Sequence, residues 1–139
     1  MVCKAAWIPS RGTVLVGESN DPFNPTEGAL SFISMSPSQQ AAEGFEKTSA
    51  ATSATGAELI EQHSTPLESL LNIASLCNVA KVFQGDEGWT ARGDPTECAI
   101  QVFAHRFGWG RESLTEGASP KWTMLKEYPF DSDLKRSGF

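Results

Sequence analysis

The 139-residue chain is 40% hydrophobic and 20% charged, with a formal net charge of −6. That length suits one domain or part of one, and the composition is that of globular material rather than disordered or fibrous sequence. The negative charge argues against nucleic acid or an anionic membrane surface as a partner, since either would be repelled at long range. The longest apolar run, residues 70–80, is broken by Asn72, Ser75 and Asn78. It falls far short of the roughly 20 residues that span a bilayer, so no membrane segment is expected. Residues 1–9 hold one lysine and no apolar core before a small-residue cleavage site, which is unlike a secretory signal and leads to an expectation of cytosolic folding.

The first apolar segments, residues 2–8 and 13–16, flank Pro9, Ser10, Arg11 and Gly12 and read as a hairpin or a pair of edge strands. Residues 20–28 (NDPFNPTEG) have turn composition and are expected to form a loop anchored by Phe23. Residues 34–56 are rich in Ser, Ala, Thr and Gln, too poor in apolar side chains to offset the entropy of ordering, and are expected to be a mobile insertion. A helix is predicted over residues 66–80, with Thr65 as cap, Pro66 at the first position and an apolar stripe of Leu67, Leu70, Leu71, Ala74, Cys77 and Val79. Around Gly85-Asp86-Glu87-Gly88 a second hairpin follows, built from Val82-Phe83 and Trp89 to Ala91. Asp94 then serves as N-cap and Pro95 as first residue of a helix over 95–107, with Glu97 placed to reach back to the cap's own N–H and Gly108 as the stop. After a polar loop, residues 122–130 read as a strand, Asp131-Ser132-Asp133 as a turn and residues 134–139 as a short return strand.

Cys3, Cys77 and Cys98 are odd in number and lack the spacing of a zinc or redox site, so reduced, packed thiols are expected. His63 and His105 have no ligand-forming neighbours in sequence and read as surface or structural residues, and no bound metal is expected. Nor is there a GxxxxGK[ST], GxGxxG, HExxH or G-x-S-x-G motif, so the chain carries no self-sufficient catalytic site.

Three groups of residues nevertheless resemble one family in its own order. Residues 93–99 (GDPTECA) resemble the nucleotide-domain motif of P-type cation ATPases, usually GDPTE followed by small residues and a helix. Residues 126–136 (KEYPFDSDLKR) resemble that family's strand and turn leading to Lys-Arg-Met-Ser-Val. The opening, KAAWIP at residues 4–9 with GESNDPFNPTEG at 17–28, is similar to the segment after the phosphorylation motif in fungal-type sodium and potassium efflux pumps, and Leu76-Cys77-Asn78 also fits. Taken alone, Asp94 to Glu97 is more often a capping box than a ligand site, and an aromatic on a strand is more often core.

The resemblance implies an α+β fold, a mainly antiparallel sheet with packed helices, and the role of an incomplete nucleotide-binding domain covering residues 1–139. It implies that Glu97 accepts a hydrogen bond from the adenine amine, that Phe130 stacks on the ring and that Lys135 lines the pocket near the phosphates. The ligand it implies is ATP, as Mg-ATP in the intact family, and the partner is the remainder of a pump that resides in a membrane, expected to be the plasma membrane. No Asp-Lys-Thr-Gly-Thr motif occurs in the sequence, so the chain by itself is expected neither to accept phosphate nor to transport ions. Lys135-Arg136-Ser137-Gly138-Phe139 departs from Lys-Arg-Met-Ser-Val at its third residue, as a frameshift, a retained intron or a partial gene model would produce. Two other readings stand beside nucleotide binding: a non-catalytic interaction module, and an unstable remnant of the pump.

Overall fold

The computed structural model describes residues 1–35, 50–116 and 118–138. Strands β1 (Ala5–Ile8) and β2 (Gly12–Val16) form the expected hairpin, with Ala5 opposite Leu15 and Ile8 opposite Gly12. The turn needs a glycine: Gly12 has φ +146°, and a Cβ there would lie 2.0 Å from the Ile33 carbonyl oxygen. Strand β3 (Leu30–Ser34) adds to β2, and β4 (Thr52–Ser53) adds to β3, giving an antiparallel sheet in the order β1-β2-β3-β4. Val14 faces Phe32 and Val16 faces Leu30 across the β2–β3 ladder, and all four are buried. Period-two alternation thus delivers one apolar face.

That face is covered by α1 (Gly56–Leu76), which buries Leu59, Leu67, Leu71 and Ser75 at helical spacing. The helix begins ten residues before the expected Pro66 start. Thr55 Oγ1 accepts the Glu58 N–H at 3.3 Å, and the Glu58 carboxylate accepts the Thr55 N–H at 2.7 Å, a reciprocal capping box. The Pro66 signal has a local cause nonetheless: proline has no N–H for the preceding turn and crowds it, and the helix breaks at Ser64 (φ 22°, ψ −112°). Both ends of the stretch expected to be a mobile insertion are therefore built into elements, Ser34 in β3 and residues 52–56 in β4 and the α1 cap. Its middle, residues 36–49, lies outside the described residues. The predicted stripe also needs correction at its end, because Cys77 and Val79 are exposed and Ser75 takes the buried position.

Strands β5 (Lys81–Gly85) and β6 (Gly88–Arg92) form the second predicted hairpin around Asp86-Glu87. Helix α2 (Pro95–His105) follows, and its Phe103 and Phe107 beyond it join Ile8, Val14, Phe32, Leu59, Leu67 and Leu71 in one core. Fully burying each such side chain is worth about 1.5–3 kcal/mol. Helix α3 (Arg111–Thr115), expected as polar loop, forms because Leu114 is buried and gives that segment an anchor. The strand expected over 122–130 shrinks to β7 (Tyr128–Asp131), paired with β8 (Arg136–Gly138). The α+β class and antiparallel pairing hold, and among the described residues the strands divide into one four-stranded and two two-stranded sheets. Among the described residues no helix is long and apolar enough to cross a membrane.

Candidate functional site

The loop before β3 is fixed differently from expectation. Phe23 is 37% exposed and does not anchor it. Its anchor is Arg106, at the end of α2, whose guanidinium donates to the carbonyl oxygens of Asn24 (3.4 Å), Pro25 (3.3 Å), Glu27 and Gly28 (3.1 Å). Glu27 closes the loop from within by accepting the Asn20 N–H and the Ser19 and Asn24 side chains, and these donors hold its carboxyl below the usual range. A cleft of about 580 Å³ opens beside this anchor, lined in part by Thr26, Glu58, Trp89, His105 and Arg106. Trp89 and His105 meet edge to face at 6.5 Å, and burial lowers the His105 pKa while the Glu112 carboxylate opposes the shift. Neither Glu97 nor Lys135 is among the described residues that line this cleft.

Glu97 stands instead in the first turn of α2. Asp94 caps the helix as expected, its Oδ1 accepting the Thr96 N–H at 2.8 Å. Gly93 brings α2 close to the α1–β5 junction; a Cβ there would lie 2.9 Å from Ala80 Cα at φ +135°. The expected bond from Glu97 to its own cap does not form. Its Oε2 accepts the Val79 N–H at 3.3 Å, because the junction offers a donor that is otherwise unpaired in the backbone. Glu97 is partly buried, and among the described interactions its other oxygen has no hydrogen-bond donor.

Phe130 and Lys135 lie on the other element. Phe130 is in β7, and Lys135 is an exposed residue of the β7–β8 turn with φ 54°. Asp131 Oδ1 organises that turn by accepting the N–H groups of Asp133 (2.8 Å) and Leu134 (2.9 Å). The hairpin is tied to the body through the segment before it: the Trp122 N–H donates to the Leu114 carbonyl at 3.1 Å, and Lys121 Nζ sits 4.7 Å from the Trp109 ring centre. Among the described residues no hydrogen bond or ion pair joins Lys135 to Glu97. Nor do they contain a group of three or more His, Cys, Asp or Glu able to hold a metal ion. Of the thiols, Cys98 is buried, Cys3 half-buried and Cys77 exposed, so the packed state expected of all three fails at Cys77.

The family model described as P-type ATPase, cytoplasmic domain N, matches residues 66–138, a span that holds Glu97, Phe130 and Lys135 together. The chain belongs to the P-type ATPases. It is 34% identical over 137 residues to the sodium/potassium exporting P-type ATPase cta3 of Schizosaccharomyces pombe, covering 98% of this chain and 12% of that protein. To the sodium/potassium exporting P-type ATPase 1 of Saccharomyces cerevisiae it is 30% identical over 165 residues, covering 98% of this chain and 15% of the relative. A calcium-transporting ATPase of Bacillus subtilis is 31% identical over 70 residues, 50% of this chain and 7% of that one. The chain thus spans a small part of the length of these P-type ATPases, and no solved structure matches it. The residue types fit an adenine nucleotide chemically: Glu97 offers an oxygen that accepts no donor among the described residues, Phe130 an aromatic ring and Lys135 a cation.

Proposed function

We propose that this chain binds adenine nucleotide as the N domain of a P-type ATPase, and that the whole pump couples ATP hydrolysis to sodium or potassium export. The observation that carries the reading is the domain N match over residues 66–138, joined to near-complete coverage of this chain by relatives named as sodium/potassium exporters. In this reading Glu97 accepts a hydrogen bond from the exocyclic amine, Phe130 stacks on the purine and Lys135 lies near the phosphates. The domain works on the cytoplasmic side of the membrane, and the terminal phosphate passes to an aspartate in a neighbouring domain of the pump.

Stacking of a base on an aromatic ring contributes about 1–3 kcal/mol, and one hydrogen bond to a charged acceptor about 1.5–3 kcal/mol. Association itself costs at least ~4 kcal/mol, so the affinity of the isolated chain is expected to be no tighter than millimolar. An NMR titration with AMP tests the reading. Phe130→Ala is expected to abolish the shifts and Glu97→Gln to weaken them. Shifts that persist in Phe130→Ala, or that gather around Trp89 and His105, would overturn the assignment and move the ligand to the cleft.

A further inference from the structure

Two buried side-chain amides lie behind Glu97. Asn78 is 4% exposed and Gln101 1%. A buried amide costs free energy unless its donors and acceptors find partners. Here Gln101 Nε2 and both polar atoms of the Asn78 side chain find them in one connected set. Gln101 Nε2 donates to the Ser75 carbonyl at 2.5 Å and to Asn78 Oδ1 at 3.0 Å. Asn78 Nδ2 donates to the Ala74 carbonyl at 2.8 Å, and Asn78 Oδ1 also accepts the Ala80 N–H at 3.2 Å. From α3, the Arg111 guanidinium donates to the backbone carbonyl of Asn78.

These bonds fix the peptide on both sides of Val79. The Asn78 carbonyl, the Asn78 side chain and the Ala80 N–H are all engaged, and the Val79 N–H between them donates to Glu97 Oε2. Gln101 follows Glu97 by four residues on α2, so the two share a helix face. That face therefore docks on the α1–β5 junction twice, through Gln101 in the interior and through Glu97 at the surface.

We propose that Asn78 and Gln101 are positioning residues that aim the Val79 N–H at Glu97 and so set the selectivity of the site for adenine over 6-oxopurines. With one oxygen held by Val79, the carboxylate presents the other in a fixed place. A 6-amino group can donate to it, whereas a 6-oxo group brings a second acceptor against it. The inference rests on the adenine-contacting role of Glu97 proposed above.

The experiment is an amide-resolved NMR titration of the full chain with AMP and IMP, in the wild type, Gln101→Leu, Asn78→Ala and Glu97→Ala. The wild type is expected to prefer AMP by about tenfold, the worth of one charge-assisted hydrogen bond. Its Val79 amide should shift on addition of AMP and not of IMP. In Gln101→Leu and Asn78→Ala, where spectra remain dispersed, the preference should fall to within about twofold, and the Val79 amide proton should move upfield as its bond to Glu97 loosens. Folded variants that keep both the tenfold preference and the Val79 shift would reduce the network to a packing role and overturn the inference. So would a wild-type Val79 amide that stays unmoved under saturating AMP, a result that needs no variant to fold. If AMP and IMP bind the wild type alike, or Glu97→Ala leaves the preference intact, the adenine reading of Glu97 itself fails, and the positioning role falls with it.

Discussion

The first turn of α2 and the β7–β8 hairpin carry the two halves of the proposed site, and they are built in opposite ways. Glu97 sits over buried amides on a helix whose far face reaches the main core. The described side chains from Lys121 to Arg136 are all exposed, Leu125 at 92%. A two-stranded hairpin is marginal by itself in water, whereas a helix docked on a sheet is not. One wall of the proposed site therefore rests on the body, and the other on a hairpin with little packing behind its described side chains. That difference, more than the list of contacts, limits the affinity of the isolated chain.

The largest effect should come from cutting into the body. Leu71 is fully buried between α1 and the four-stranded sheet, so Leu71→Ala should cost about 2–5 kcal/mol in urea unfolding. Leu125→Ala, at a site almost fully in solvent, should change stability by less than about 0.5 kcal/mol. Comparable losses at both positions would mean that the hairpin segment packs against something in solution, and the contrast between the two regions would collapse.

The same contrast governs what could be read in advance. Local chemistry was legible: Gly85 to Gly88 announced a hairpin, and Asp94-Pro95 announced a helix start. The Thr55–Glu58 cap lies inside the stretch expected to be a mobile insertion, where β4 and the start of the long α1 take its place. Partners distant in sequence left no signal. The Val79 N–H that takes Glu97 away from its own cap lies 18 residues away, and the Pro25 carbonyl that helps hold Arg106 lies 81 away. Gln101 carries no local signal of its role, because only the tertiary fold makes it a buried link to Asn78. For the proposed site, the sequence offers Glu97, Phe130 and Lys135 through the resemblance alone, and it carries no signal of the arrangement behind Glu97.

A second prediction sharpens the comparison through pH. His63 packs on Phe32 with ring centres 4.1 Å apart, and both its ring nitrogens are buried without a hydrogen-bond partner among the described residues. Burial chiefly, and the nearby Arg11 charge secondarily, lower its pKa below the ordinary 6.5, and burial lowers that of His105 too. As pH falls, the unfolded chain takes up these protons first. Stability should therefore be level above about pH 6.5 and decline below it as pH approaches the lowered folded values. Glu27 and Glu58 belong to a separate window: their pKa values are lowered by backbone and side-chain donors, so their contribution is lost only below the usual carboxylate range. Thermal melts from pH 7.5 to 5.5 check the sign, and His63→Phe should flatten part of the slope. Because the hairpin contains no histidine, hydrogen exchange of residues 128–138 should lack that step. A slope that His63→Phe and a matching His105 variant leave untouched would place the titration elsewhere.

The smallest effect is expected at Lys135. It occupies a left-handed turn position, φ 54°, fully on the surface, and no ion pair holds it among the described residues. A cation so placed meets a phosphate through water and salt, and exposed charge pairs contribute at most about 1 kcal/mol, with many near zero. Lys135→Gln should then weaken ATP binding by no more than about twofold to fivefold and leave AMP binding unchanged, while ATP, ADP and AMP bind the wild type within a similar range. The measurement is a set of NMR titrations at two ionic strengths. A loss of tenfold or more specific to ATP, fading at high salt, would mean that the nucleotide draws Lys135 out of solvent. The hairpin would then be part of an organised pocket once ligand is bound, and the two walls would differ only in the free chain.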